Sequence, residues 1–242
     1  TTCKLISKLI ANIDFYIYRT QTGFSKFSLC IFICFISSPI FAIDSSPSKL
    51  EWTKVRGSAQ DIGIGANGET FVVGDDGVVW RWRREGSGWN RRSGLLQRIA
   101  VDPKGSHWGV AEDGRIFRMR GLWWREAEGL AQDIAIGKDG TVFMLTQDGS
   151  LARWDKFSNR WQAFPGSGQR IAVGPKGNPW VVKADGSIAH YDGRSWQTLP
   201  GQAIDIAVSS EGNAYIIDSE KVSRWDAKNN LWLRLANTEG GI

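Results

Sequence analysis

The same landmarks recur five times along this chain at a nearly constant spacing. An isoleucine opens each copy, and successive copies are 37, 35, 37 and 35 residues apart. These isoleucines are Ile62, Ile99, Ile134, Ile171 and Ile206. So regular a period predicts one supersecondary unit that is repeated, because each copy relies on its neighbours to bury its apolar faces. We therefore expect function to belong to the assembly of copies.

Three further landmarks indicate the structure of one copy. A turn glycine is followed three residues later by an aromatic residue, then by an acidic residue and glycine, and a tryptophan closes the copy. The closing tryptophans are Trp89, Trp124, Trp161, Trp196 and Trp232. In the third copy the segments DIAIG, TVFML, SLARW and RWQAF are separated by turns, which predicts four short strands. We therefore predict an all-β fold, a β-propeller of four-stranded blades.

The repeats predict five blades within a propeller domain at 51–242, at about 59–95, 96–130, 131–168, 169–202 and 203–242. The segment EWTKVRG at 51–57 is predicted to be a fourth strand. Trp52 lies ten residues before Ile62, and the same interval separates each later closing tryptophan from the position where the next copy begins. We expect this strand to close the ring as the outer strand of the last blade. The chain reaches Ile242 where a sixth copy would begin, so we expect a truncated six-bladed ring; the alternative is a closed five-bladed ring with one spare strand.

Residues 1–42 have the pattern of an upstream segment and a secretory signal peptide. Lys26 precedes an apolar run at 27–36 that is too short to span a bilayer, and Ser-Ser-Pro and the small Ala42 follow it. We expect cleavage near Ala42, a short linker at 43–50, and a secreted, periplasmic or extracellular mature protein without a transmembrane span. An uncleaved membrane anchor is the alternative.

Charge and composition narrow the function classes. Residues 1–42 carry four basic residues and one acidic residue, so a net charge of +5 falls to +2 without them. Such a balance does not favour nucleic-acid binding. All 3 cysteines lie within residues 1–42, and the two histidines lie in different copies, so we expect no metal, no cofactor and no Cys/His catalysis. Acidic residues recur in every copy instead of forming one asymmetric pair, so we expect no enzyme.

Several segments resemble the tectonin repeat family of β-propeller lectins (tachylectin/tectonin type). They are DIAIGKDGTVF, RIAVGPKGNPWVV, DGSIAHYDGRSWQTLPG and the RWD at 153–155 and 224–226. The resemblance covers about residues 51–242 and implies a six-bladed propeller that binds glycans, including bacterial lipopolysaccharide and methylated sugars, between its blades. Copy two departs from the pattern at Met119, and copy five lacks the Asp-Gly turn. The alternatives are an extracellular protein-binding scaffold and, less favoured, a sialidase-like glycosidase. The segment DDGVVW at 75–80 resembles the Asp-box turn of sialidase-like propellers.

Two repeated sets of residues are candidates for carbohydrate binding. The third predicted strand carries a base, at Arg81, Arg118, Arg153, His190 and Arg224, followed by an aromatic residue at Trp82, Trp154, Tyr191 and Trp225. The turn before it carries Asp76, Asp113, Asp148 and Asp185. A base beside an aromatic face suits a stacked sugar whose hydroxyl, carboxylate or phosphate is hydrogen-bonded. Because neighbours along a strand point to opposite faces, such a site needs the base of one blade and the aromatic ring of the next.

The same residues also have a structural interpretation. The arginine can pair with an aspartate such as Asp148 or Asp133, and the tryptophan can fill the gap between blades. The Asp-Gly pair is favoured in tight hairpins, so the turn aspartates can simply shape the turn. The aromatic residues of the second strand are expected to lie in the core.

Overall fold

The computed structural model describes residues 14–19, 51–83, 88–218 and 221–235, and its regular elements there are all β-strands. In these ranges no helix is long and apolar enough to cross a membrane. The expected apolar run at 27–36, the cleavage site near Ala42 and the linker at 43–50 lie outside the described residues. Two strands precede the blades, β1 (Asp14–Arg19) and β2 (Glu51–Ser58).

Five antiparallel four-stranded units follow, one for each repeat. Blade 1 contains β3 (Asp61–Ile64), β4 (Thr70–Val73), β5 (Val78–Trp82) and β6 (Trp89–Leu95). Blade 2 contains β7 (Arg98–Ala100), β8 (Trp108–Val110), β9 (Arg115–Arg120) and the first half of β10 (Trp123–Ile136). Blade 3 contains the second half of β10 with β11 (Val142–Thr146), β12 (Ser150–Asp155) and β13 (Arg160–Ser167). Blade 4 contains β14 (Arg170–Val173), β15 (Pro179–Val182), β16 (Ser187–Tyr191) and β17 (Trp196–Gln202). Blade 5 contains β18 (Asp205–Val208), β19 (Ala214–Asp218), β20 (Lys221–Asp226) and β21 (Leu231–Arg234).

Strand β10 joins two blades that the sequence pattern separates. It pairs with β9 through its first half and with β11 through its second half, which merges blades 2 and 3 into one seven-stranded sheet. The pairing register shifts between Ala127 and Leu130, and again between Ala131 and Asp133. Between these points Gly129 has a φ of +97°, a value that favours glycine. The chain therefore passes from one blade into the next within one strand, which changes its pairing partner around Gly129.

The first strands of the five blades surround a central cavity. β3, β7, β10, β14 and β18 lie side by side in that order. Apolar side chains of these strands and of the residue after β7, among them Ile64, Val101 and Val173, line a space of about 170 Å³. This arrangement confirms the predicted all-β propeller of four-stranded blades. The expected sixth blade would lie in sequence after Ile242, so it stays a prediction.

One face of each blade packs against the opposite face of the next blade. At the junction of blades 1 and 2, Phe71 and Val73 contact Ile99, Val101 and Phe117. The aromatic residues of the second strands are buried, as expected: Phe71, Trp108, Phe143, Trp180 and Tyr215. Burying one such side chain contributes about 1.5–3 kcal/mol. The aromatic positions of the repeat are therefore the contacts that hold neighbouring blades together.

The closing tryptophans of blades 2 to 5 are each hydrogen-bonded to the fourth strand of the preceding blade. The indole N–H donates to a backbone carbonyl in the pairs Trp124–Ser93 (2.8 Å), Trp161–Glu128 (2.9 Å), Trp196–Pro165 (2.7 Å) and Trp232–Pro200 (2.9 Å). A glycine with positive φ follows each acceptor residue. At Gly166 a Cβ atom would lie 2.7 Å from Trp196 Nε1, so no larger residue fits without a shift. This contact explains why copies one to four have a glycine in the fourth strand, five residues after the closing tryptophan.

A buried aspartate at the start of the first strand links alternate blades to their successors. The carboxylate of Asp61 accepts a hydrogen bond from the Ile99 N–H at 2.7 Å, and that of Asp133 accepts one from the Ile171 N–H at 3.1 Å. The same position holds arginine in copies two and four, and Arg98 Nε lies 3.9 Å from Asp133 Oδ1. The alternation of acid and base matches the alternating 37- and 35-residue spacing.

Strand β2 lies ahead of blade 1 in the place of a preceding blade's fourth strand. Gly57 has a φ of +127°, and its Cβ position would lie 3.8 Å from Trp89 Nε1, as in the other glycine–tryptophan contacts. β2 pairs with β1, although the sequence pattern predicts no strand at 14–19. Their register, with a shift between the Asp14↔Ser58 and Phe15↔Val55 pairs, matches that of β12 and β13 in blade 3.

Candidate functional site

The third strand of every blade turns its base toward the next blade. Arg81, Arg118, Arg153, His190 and Arg224 are the direct cross-strand partners of the second-strand aromatic residues, which face the next blade. Direct partners lie on the same face of a sheet. The neighbouring aromatic residues face the preceding blade; Trp154, for example, packs on Trp108 of blade 2 at 4.9 Å between ring centroids. The three junctions from blade 2 to blade 5 therefore each combine the base of one blade with the aromatic residue of the next, as the alternation predicts.

At the junction of blades 1 and 2 the base is already neutralised. Arg81 Nη2 lies 2.7 Å from Glu69 Oε1 in the same blade. His107 of blade 2 packs on Phe71 at 4.7 Å, and its Nε2 lies 3.7 Å from the other Glu69 oxygen. Burial lowers the pKa of His107, partly offset by the Glu69 and Asp102 carboxylates. This junction lacks a third-strand aromatic residue, because Met119 stands in that position.

At the junction of blades 2 and 3 an arginine meets three tryptophans. Arg118 Cζ lies 5.3 Å from the ring centroid of Trp108. Trp154 and Trp161 of blade 3 pack edge-on against the same ring, with centroids at 4.9 and 5.4 Å. The base and the aromatic residue that the sequence singles out here, Arg118 and Trp154, thus flank one buried indole.

At the junction of blades 3 and 4 the base lies near a carboxylate. The pKa of Asp155 is lowered mainly by the hydrogen bond from the Phe157 N–H, and the charge of Arg153 contributes. On the facing wall Tyr191 packs on Trp196 at 5.6 Å and on Phe164 of blade 3 at 5.1 Å.

At the junction of blades 4 and 5 an uncharged base replaces arginine. His190 stacks on Trp180 at 4.0 Å and an interplanar angle of 23°. Burial lowers the pKa of His190, although the Asp192 carboxylate opposes the shift. Trp225 and Trp232 form the facing wall, 4.9 Å apart.

Two candidate residues, Trp82 and Arg224, lie outside these four junctions, on the outer faces of blades 1 and 5. Trp82 packs on Trp89 with 4.8 Å between the ring centroids.

The turn aspartates shape the hairpins between second and third strands. One carboxylate oxygen accepts a backbone N–H two residues on, in the pairs Asp76–Val78, Asp113–Arg115, Asp148–Ser150 and Asp185–Ser187. Side-chain hydrogen bonds are the largest cause of the lowered pKa of three of them, from Arg115 to Asp113, from Thr146 to Asp148 and from Ser187 to Asp185. These contacts agree with the structural interpretation of the Asp-Gly turn.

The two candidate sets lie at opposite ends of the third strand. Asp148 precedes β12 and Arg153 lies near its end, a separation of about 17 Å at the usual rise of a strand. One small ligand does not contact both sets. The expected pairing of Arg153 with Asp148 or Asp133 is wrong, because Asp148 bonds Thr146 and Ser150 while Asp133 bonds Ile171 and lies near Arg98.

Two grooves lie at the turn end of the blades. The first, between β2 and blade 1, has a volume of about 390 Å³ and is lined by Asp76, Trp80 and Trp89 among others. Asp75 beside it accepts a hydrogen bond from the Ser58 hydroxyl.

The second groove lies at the equivalent place between blades 1 and 2 and measures about 670 Å³. Its lining includes Arg91, Arg92, Arg115 and Phe117. The sequence patterns did not single out Trp80 or Phe117 as site residues. A signal was present, because copies three to five have the small Ala152, Ala189 and Ser223 at this repeat position.

The tectonin domain model matches residues 37–122 and 82–159, which together span 37–159, or 123 of the 242 residues. The chain belongs to the tectonin family. No curated protein sequence matches this tectonin. It is similar to the solved structure named "YCF48 bound to D1 peptide", with a TM-score of 0.50 and 16% identity over 71% of this chain. The match covers 66% of that other chain, just under two thirds, and it supports the propeller fold alone.

Among the residues that the structure describes, no group of three or more His, Cys, Asp or Glu side chains is placed to hold a metal ion.

Proposed function

We propose that this tectonin propeller is a multivalent lectin that binds carbohydrate in the grooves between its blades. The observation that carries the proposal is the groove of about 390 Å³ between β2 and blade 1. It places the carboxylate of Asp76 and the indole rings of Trp80 and Trp89 around one space. An indole face stacks on the apolar face of a sugar ring, while a carboxylate accepts hydrogen bonds from its hydroxyl groups.

The carboxylate of Asp76 has one oxygen to offer such a ligand. Its Oδ1 accepts the Val78 N–H at 3.0 Å and shapes the turn. Among the described residues, Oδ2 has no hydrogen-bond donor. Asp75, one residue earlier, accepts the Ser58 hydroxyl and so ties β2 to the rim of the groove. The structural and binding interpretations of the turn aspartate are thus compatible at this position.

Repetition of the junctions favours several weak sites over one tight site. Several sites on one chain can bind a dense glycan surface at the same time, and this raises the overall avidity. A modest affinity at each single site is therefore enough for firm attachment. The proposed partners are surface glycans such as lipopolysaccharide or methylated sugars, by analogy with the resemblance described above. Export through the expected signal peptide would bring the protein to such surfaces. We propose binding without catalysis.

A glycan and lipopolysaccharide array probed with the full chain tests this function. The proposal predicts binding to one sugar class that strengthens with surface density, and Trp80→Ala or Asp76→Asn should weaken it. Asp185→Asn is the matched control, because the blade 4 turn has Ala189 where blade 1 has Trp80. A blank array from folded protein would contradict the proposal.

A protein-binding scaffold is the second candidate. Leu122 and Phe157, at neighbouring hairpins of blades 2 and 3, are 82% and 87% exposed. A contiguous exposed apolar patch marks a protein-interaction surface, and under this second proposal the two side chains belong to one such patch. The similar solved structure is itself named as a peptide complex. A blank array together with a partner captured in a Phe157-dependent way would favour the scaffold.

A further inference from the structure

We propose that the rim of the junction between blades 2 and 3, where Arg120, Trp123 and Arg125 are exposed, is a subsite for an anionic oxygen group, the phosphate or carboxylate of a charged sugar. The inference rests on the proposed carbohydrate binding and assigns to one junction a ligand chemistry that the other junctions do not share. Four observations carry it: a cluster of arginines, the absence of compensating carboxylates, two unpaired buried donors and the contrast with the other blades.

Three arginines and a tryptophan share the face of blade 2 that is turned toward blade 3. Arg118 is the cross-strand partner of Arg125, and Arg120 is the partner of Trp123. Arg118 and Arg120 are two residues apart in β9, so they lie on the same face, which is also the face of Trp108. Trp123 is 67% exposed. The wall therefore offers three guanidinium groups and an open indole surface.

These guanidinium groups have no ion-pair partner among the described residues. Among the described residues, no carboxylate oxygen lies within 4.0 Å of the guanidinium nitrogens of Arg118, Arg120 or Arg125. Burial and then the charge of Arg120 lower the pKa of Arg118, and the Asp102 carboxylate only partly opposes them. By contrast, Arg81 at the preceding junction is paired with Glu69 at 2.7 Å. A bound anion would supply the missing negative charge.

Two buried hydrogen-bond donors at the same junction have no acceptor. They are Arg118 Nε on one wall and Trp154 Nε1 on the other, and no described residue accepts from either. Both side chains flank Trp108, at 5.3 Å from Arg118 Cζ and 4.9 Å from the Trp154 centroid. Buried donors are nearly always paired in folded proteins. An oxygen group that enters this junction would supply an acceptor where the described residues supply none, and its geometry matches the fork of an arginine.

Blades 3 to 5 replace both key arginines, whereas blade 1 has Arg83 at the position of Arg120 and Asn90 at the position of Arg125. The position of Arg120 holds Asp155, Asp192 and Asp226 in blades 3 to 5. Each of these aspartates accepts backbone N–H groups of its own hairpin. The position of Arg125 holds Gln162, Gln197 and Leu233. A carboxylate at this place repels anions, so the junctions of the propeller are not equivalent in charge.

Calorimetric titration of the full chain tests the subsite. Glucose 6-phosphate and glucuronic acid are the anionic probes, methyl glucoside is the neutral probe, and inorganic phosphate tests the anion alone. We expect the anionic sugars to bind more tightly than methyl glucoside, and their affinity to fall as salt rises. Arg118→Gln should weaken them about tenfold. Arg125 is exposed, so Arg125→Gln should weaken the binding of anionic sugars without risk to folding. Trp154→Phe removes the indole N–H but keeps an aromatic side chain, and it should weaken the same binding.

Arg194→Gln is the charge-matched control, because Arg194 lies in a hairpin of blade 4, away from the junction of blades 2 and 3. Anion binding that Arg125→Gln and Arg194→Gln reduce equally would overturn the subsite, as would equal affinity for charged and neutral sugars. The second result would leave carbohydrate binding intact. Inorganic phosphate bound in an Arg118-dependent way, without binding of any neutral glycan, would support the subsite and count against the wider lectin function.

Discussion

The indole N–H of Trp196 donates a 2.7 Å hydrogen bond to the carbonyl oxygen of Pro165 in the preceding blade, and Gly166 lies directly against the same ring. This contact is repeated at all four junctions between the five described blades, with the tryptophan always on the later blade. It fixes the distance between blades, and so sets the width of the grooves in which we propose that sugars bind.

Gly166→Ala is expected to lower the free energy of unfolding by about 3 kcal/mol. Gly166 has a φ of +120°, and its Cβ would lie 2.7 Å from Trp196 Nε1, so strain and a clash add together. Gly140→Ala is the matched control, because φ is +83° there but nothing lies within 4 Å. Urea unfolding should show a loss of only about 1 kcal/mol for the control. Equal losses would contradict the role of the tryptophan contact.

Asp133→Ala is expected to cost about 3 kcal/mol of stability. The Asp133 carboxylate is fully buried, accepts the Ile171 N–H of the next blade and lies 3.9 Å from Arg98 Nε. Its removal leaves the buried Ile171 N–H without its acceptor and the half-buried Arg98 without a nearby negative charge. Thermal unfolding of this variant can be compared with that of Asp113→Ala, whose carboxylate is exposed. The account fails if the two variants are equally stable.

The free energy of unfolding is expected to fall as the pH drops below about 6.5. Burial lowers the pKa of His107 and His190 from the ordinary 6.5, so the folded state takes up protons less readily than the unfolded state. Stability from this source is therefore complete above that pH and is lost on acidification. The double variant His107→Gln, His190→Gln should flatten the stability profile between about pH 7 and 5. An unchanged slope would show that these histidines do not carry the effect.

The repeat predicts the fold well because the same physical requirement recurs in every copy. Ile62 and its equivalents, the second-strand aromatic residues and the closing tryptophans each bury a fixed face, so their spacing gives the strands and the blades. The opposite orientations of Arg118 and Met119, or of Arg153 and Trp154, follow from strand alternation alone. The segment at 51–57 was identified as a fourth strand for the same reason, and Gly57 lies where that assignment requires.

The charge of each junction could not be predicted from the repeat. It depends on departures from the pattern, such as Glu69 beside Arg81, and on the register of one hairpin, which places Arg125 opposite Arg118. The assumed partners of Arg153 were wrong because the turn N–H groups and the next blade already use Asp148 and Asp133. Trp80 was missed because only two copies have a large side chain there.

Glu69→Gln is expected to create a second anion site at the junction of blades 1 and 2. The substitution removes the carboxylate that pairs with Arg81 at 2.7 Å and leaves its guanidinium free for a ligand. Calorimetry with glucose 6-phosphate should then show an increase in the number of sites per chain. The variant Glu69→Gln, Arg81→Gln is the control and should return to the wild-type number. No gain in the single variant would show that free guanidinium charge alone does not make a site.

The most direct test of carbohydrate binding between blades is the indole N–H spectrum of ¹⁵N-labelled full chain during titration with the glycan class that binds best. The groove tryptophans Trp80, Trp89, Trp154 and Trp161 can be assigned one by one from tryptophan-to-phenylalanine variants. The account predicts saturable shifts of signals from at least one of these grooves, lost in the corresponding variant. Saturable glycan binding that leaves all four signals unmoved, or no glycan binding by the folded protein, would contradict it.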